Sequence, residues 1–68
     1  MPKRYSTRDV ERVLLARGFS KLSQKGSHIK YGNGVRVVIV VSGRKEIRVG
    51  TLASIARQAG LRLTDFDV

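Results

Sequence analysis

Residues 35–41, Val-Arg-Val-Val-Ile-Val-Val, are β-branched at six of seven positions. Branching at Cβ crowds a helix and suits a pleated surface, so this run is a strand. It follows Gly32-Asn33-Gly34, a turn sequence that tolerates positive φ, and a shorter run over 27–31. Together they predict an antiparallel hairpin. A three-residue loop pairs Tyr31 with Val35, Lys30 with Arg36, Ile29 with Val37 and His28 with Val38. That register keeps Ile29, Tyr31, Val35, Val37 and Ile39 together on one apolar face, whereas a two-residue Asn33-Gly34 turn mixes the faces. It leaves His28, Lys30, Arg36, Val38 and Val40 on the other face. Val38 and Val40 then either meet a partner or lie under the tail or the following loop.

The flanking segments read as helices. Ser6 is a good N-cap for a helix over 6–17, Asp9 stands at the capping-box position, and Tyr5 and Val10 occupy the staple positions. Val10, Val13 and Leu14, with Ala16 beside them, make its apolar stripe; Gly18 and then Phe19 end it. Residues 19–24 form a first strand, closed by Lys25-Gly26. After a polar loop over 42–50, Thr51 caps a second helix over 51–59. Its Leu52, Ile55, Ala56 and Ala59 follow helical spacing up to Gly60 and Leu61. A final turn over 63–66 brings Phe66 to the core. Short connections favour an antiparallel meander covered on one side. The expected fold is thus one α+β domain over residues 1–68. It has two layers in the order α-β-β-β-α, a three-stranded antiparallel sheet with two helices on one face. Double-stranded-RNA-binding domains share that layout, which by itself assigns no function.

A chain of 68 residues has room for one small core and excludes two-domain enzymes and dinucleotide folds. Without cysteine there is no disulfide, no thiolate metal site and no cysteine nucleophile. No apolar run approaches the ~18 residues of a membrane span. The basic start, Met1-Pro2-Lys3-Arg4-Tyr5, lacks the apolar stretch of a signal peptide, so a cytoplasmic protein is expected. The formal net charge is +9, from 14 Lys and Arg against 5 Asp and Glu, and all of the excess lies before residue 49. That balance points to a polyanionic partner, either nucleic acid or an acidic protein.

The chain has a single histidine, in Lys25-Gly26-Ser27-His28-Ile29-Lys30. A lone histidine on a basic strand is more often an ordinary surface residue, but its neighbours sharpen the reading. Gly26-Ser27 lets a phosphate approach the backbone closely. Lys25 and Lys30 flank the ring, Arg36 opposes Lys30 in the expected register, and Arg44 adds a further cation from the next loop. Like charges opposed on a sheet are unfavourable unless an anion lies between them. Cleaving RNA without a metal needs a base for the 2′-hydroxyl, cations for the transition state and an acid for the leaving oxygen. Histidine is the side chain whose ordinary titration near neutrality suits the base. Lys25, Lys30, Tyr31, Ser27 and water are candidates for the acid. The five carboxylates are scattered, so neither a metal nor a cofactor is expected.

The run Gln24-Lys25-Gly26-Ser27-His28, leading into a hairpin, resembles the Gly-Ser-His segment of the HicA family of toxin ribonucleases. The run from Glu46 through Gly50-Thr51-Leu52 to Gln58-Ala59-Gly60 is similar to that family's Glu-Leu-x-x-Gly-Thr-Leu…Gln-Ala-Gly ending. The likeness covers about residues 6–66. It implies a double-stranded-RNA-binding-like fold and a metal-independent endoribonuclease toxin, an mRNA interferase of a type II toxin–antitoxin pair. It implies mRNA as substrate, a monomeric free toxin, and a hetero-oligomer with a HicB-like antitoxin. The family's catalytic histidine falls on His28, and Gly26 and Ser27 match its flanking motif. Many members carry Pro-x-His before the matching Glu; here Val40 and Ser42 stand at those positions. Two other classes fit the residues: a non-catalytic RNA-binding module on the same basic face, and a structural partner of an acidic protein.

Overall fold

The structure, a computed structural model, describes residues 4–67; the basic start at Met1, Pro2 and Lys3 lies outside the described residues. Helix α1 spans Thr7–Ala16. Its entry is fixed by reciprocal capping: the Asp9 N–H donates to Ser6 Oγ at 3.2 Å and the Ser6 N–H donates to the Asp9 carboxylate at 2.9 Å. Gly18 takes φ +89°, and the chain turns back so that the Phe19 N–H reaches the Leu14 carbonyl at 2.9 Å. Val10, Val13 and Leu14 are buried as expected, while Ala16 faces solvent.

Three strands follow in spatial order β1-β2-β3: β1 over Ser20–Lys25, β2 over His28–Gly32 and β3 over Val37–Val41, all antiparallel. Helix α2 spans Val49–Ala59, and a 3-10 turn over Leu63–Phe66 closes the chain. Both helices pack on one sheet face. Their buried residues (Val10, Val13, Leu14, Leu52, Ile55, Ala56, Ala59) join Ile29, Tyr31, Val38, Val40 and Phe66 in one core. The α-β-β-β-α order and the open three-stranded sheet match the expected α+β class.

The hairpin register differs from the expected one. Tyr31 pairs with Val38, Lys30 with Ile39, Ile29 with Val40 and His28 with Val41. The connecting loop has four residues because the Asn33 carboxamide organises it. Its Oδ1 accepts from the Val35 and Arg36 N–H groups at 2.9 and 2.6 Å. The partners of β2 therefore shift by three residues along the chain. An odd shift exchanges the faces of β3. Val38 and Val40 enter the core, while Val35, Val37 and Ile39 are 90%, 48% and 41% exposed. Arg36 consequently does not face Lys30.

Helix α2 also begins earlier than expected. Arg48 is its N-cap residue without a side-chain cap bond, and the Leu52 N–H closes the first turn on the Arg48 carbonyl at 2.9 Å. Thr51 thus sits inside the first turn rather than at the cap. Gly60 ends the helix at φ +71° as expected. Two side chains seal the outer edge of β3: Thr7 Oγ1 donates to the Val41 carbonyl at 2.7 Å, and Gln58 Oε1 accepts from the Ile39 N–H at 3.1 Å. Among the described residues no helix is long and apolar enough to cross a membrane.

Candidate active site

Gly26 and Ser27 form the two-residue turn between β1 and β2. Gly26 takes φ +60° and Ser27 does not, the pattern of a type II′ hairpin turn. A Cβ placed on Gly26 meets nothing within 4 Å, so the backbone here is open to an approaching group. His28 follows as the first residue of β2 and is exposed. Its cross-strand partners are Lys25 on β1 and Val41 on β3. Residues directly opposed share a face with Cβ atoms roughly 5 Å apart, so the turn presents Lys25 beside the imidazole. Lys30 lies two residues along β2 on the same face, about 6.7 Å farther on, between Ser23 and Ile39. This is the sheet face that the helices leave open.

Arg44 belongs to the same end of the sheet. The Ser42 N–H donates to the Ser27 carbonyl at 2.7 Å, tying the loop after β3 to the residue before His28. Two residues on, Thr7 clasps the Arg44 main chain. Thr7 Oγ1 accepts from the Arg44 N–H at 3.0 Å, and the Thr7 N–H donates to the Arg44 carbonyl at 2.9 Å. Arg44 and Arg48, with Glu46 and with Thr51 and Ile55 of α2, line a cleft of about 320 Å³ on the helix side that reaches Val41, the cross-strand partner of His28. Arg36 sits elsewhere. It is the last residue of the hairpin loop at the far end of β2, about 13 Å away at strand rise. Its guanidinium covers the end of α2, where a Cβ on Gly60 would fall 2.6 Å from Nε. Of the expected cluster, Lys25, Gly26, Ser27, His28 and Lys30 share one turn and face, Arg44 flanks them, and Arg36 does not join.

Tyr31 alternates to the helix side, where its hydroxyl donates to the Glu11 carboxylate. Burial, then the hydrogen bond and the negative charge of Glu11, push its hydroxyl well above the ordinary tyrosine value. A group so placed is no acid for the open face. Tyr31→Phe is therefore expected to lower stability by about 1–2 kcal/mol, which chemical denaturation checks.

The electrostatics of the open face follow from where the acids go. Asp9 caps α1, Glu11 holds Tyr31, Glu46 lies 3.9 Å from Arg4, and Asp65 meets Arg17 at 3.0 Å. Tyr5 donates to Asp67 at 3.3 Å. The Arg62 N–H, then the Arg17 guanidinium, hold the Asp65 carboxyl below the usual carboxylate range. Among the described residues no strand contains an acidic residue. The lysines around His28 thus stand on an open face whose strands carry no carboxylate.

Fold and site define a small basic α+β domain with one imidazole set among cations on an uncovered sheet. A family model described as the HicA toxin of bacterial toxin–antitoxin matches residues 7–61, and the chain belongs to that family. No curated protein matches the chain. Membership makes it a toxin of a toxin–antitoxin pairing. The sequence assigns no role to Thr7 or Arg48, and Gln58 stands out in it only as part of the family-like Gln-Ala-Gly ending. Thr7 and Gln58 act through bonds to a strand edge more than 18 residues away, and no local pattern signals that. Arg48 was one cation among many.

Proposed function

We propose that the chain is a metal-independent endoribonuclease whose base is His28. The observation that carries this reading is the turn Lys25-Gly26-Ser27-His28, which sets an exposed imidazole directly across from an ammonium beside an unobstructed backbone. A phosphodiester laid on this turn is held by Lys25 and Lys30, with Arg44 at its flank. His28 takes the proton of the 2′-hydroxyl. The 2′-oxygen bonds to phosphorus, and the bond from phosphorus to the 5′-oxygen breaks. The products are a 2′,3′-cyclic phosphate and a 5′-hydroxyl. The lysines offset the charge that builds on the phosphoryl oxygens. The leaving oxygen takes its proton from Lys25 or from solvent, since Tyr31 is on the other face. RNA cleavage of this kind accounts for toxicity, and the basic surface fits an acidic HicB-like antitoxin that neutralises it in a hetero-oligomer.

The same face could hold RNA without cutting it, and one assay separates the two. Purified protein is incubated with single-stranded RNA in excess chelator. Fragments that accumulate with time support the nuclease. Intact RNA, bound in a salt-sensitive complex, would assign the face to binding alone.

A further inference from the structure

We infer that the exposed ridge of Val37 and Ile39 on β3, with Lys30 beside it, seats the unpaired bases next to the scissile phosphate. The inference rests on the proposed cleavage at His28 and names the part of the substrate that the rest of the face reads. The register carries it. His28 and Lys30 stand on β2 in successive rows, about 6.7 Å apart, close to the separation of neighbouring phosphates in an unstacked strand. Ile39 is the cross-strand partner of Lys30, and Val37 is the partner of Gly32 one row farther from His28. Both are large aliphatic side chains left 41% and 48% exposed on a face whose strands hold no acid. Lys25 on β1 and Lys30 on β2, in successive rows, and an apolar ridge along β3 divide the face into a track for phosphates and a shelf for bases.

The occupant follows from that division. An acidic protein surface would match Lys25 and Lys30, but it has no need of two ammoniums set in successive rows, one nucleotide step apart along the strands. A duplex would match the phosphate track yet keeps its base faces stacked inside, out of reach of a flat aliphatic ridge. A single strand offers both a backbone and open base faces. Valine and isoleucine carry no donor or acceptor, so the shelf holds any base by its face. Cleavage is therefore tolerant of sequence at the one or two nucleotides on the ridge side.

The test measures affinity in the His28→Ala protein, so its outcome does not depend on cleavage. A labelled single-stranded oligoribonucleotide is titrated, alone and annealed to its complement. The double substitution Val37→Thr with Ile39→Thr keeps the strand's branching and touches no core residue. It is expected to weaken single-strand binding about tenfold, to leave the salt dependence unchanged, and to leave duplex binding unchanged. Lys30→Gln is expected to reduce the salt slope by about 0.7, one phosphate's worth for a single strand. Thermal melting confirms that each variant folds. Single-strand affinity equal to the parent's in the ridge variant would overturn the inference and leave the ridge as a protein contact. Tighter binding of the duplex than of the single strand would overturn it as well. A fault in the cleavage reading shows separately, as RNA cutting that survives His28→Ala.

Discussion

Replacing His28 by alanine is expected to slow RNA cleavage by about 10²–10⁴-fold, the usual contribution of a positioned general base. Growth arrest on expression is expected to disappear with it. The fold should survive, because His28 is exposed, stands outside the core cluster and opens a strand whose pairing runs through its backbone. The stability change should stay within about 0.5 kcal/mol. The comparison needs a denaturing gel for the RNA and a melting curve for the protein. A mutant that melts normally and cuts at the parent's rate would remove His28 from the chemistry. Lys25→Gln supplies a graded companion. It takes away the cation across the hairpin but not the base, so a partial loss is expected.

Phe66→Ala carries the largest expected effect on stability. The side chain is essentially inaccessible and belongs to the single core, although it sits almost at the end of the chain. The 3-10 turn that delivers it is fixed by Asp65, which accepts from the Arg62 N–H at 2.8 Å and from Arg17 at 3.0 Å. Truncating a buried Phe costs about 3–5 kcal/mol. The whole stability of a domain this short is roughly 3–10 kcal/mol. The variant should therefore be largely unfolded near body temperature, with loss of toxicity and no change at the site itself. Chemical denaturation checks this. A cost below about 1 kcal/mol would mean that the tail lies on the core rather than completing it.

The parts of the fold that local chemistry dictates were legible from the residues. Ser6, Asp9 and Gly18 bound α1 through caps and a left-handed residue, and Gly60 ends α2 in the same way. The register of the hairpin was not legible in this way. Asn33 could serve a tight three-residue turn or, through its side chain, a four-residue loop. Only packing of α2 on β3 decides which set of valines turns inward. That one difference moved Val38 and Val40 into the core, Val37 and Ile39 onto the open face, and Arg36 to the end of α2. The turn that carries the candidate site was legible because its residues are neighbours in sequence. Lys25, Gly26, Ser27 and His28 are joined by one turn, whatever the register of β3. Arg44 is placed by Thr7 and the loop after β3, and such long-range bonds leave no mark in the sequence.

The central claim is that the open sheet face cuts RNA through the 2′-hydroxyl, with His28 as base. An RNA with one mapped cleavage site is compared with the same RNA carrying a single 2′-deoxy nucleotide immediately 5′ of the scissile phosphate, both in chelator. The predicted result is rapid cutting of the first to a 2′,3′-cyclic phosphate end and no cutting of the second at that bond. Equal cutting of both, or products ending in a 3′-hydroxyl, would contradict it.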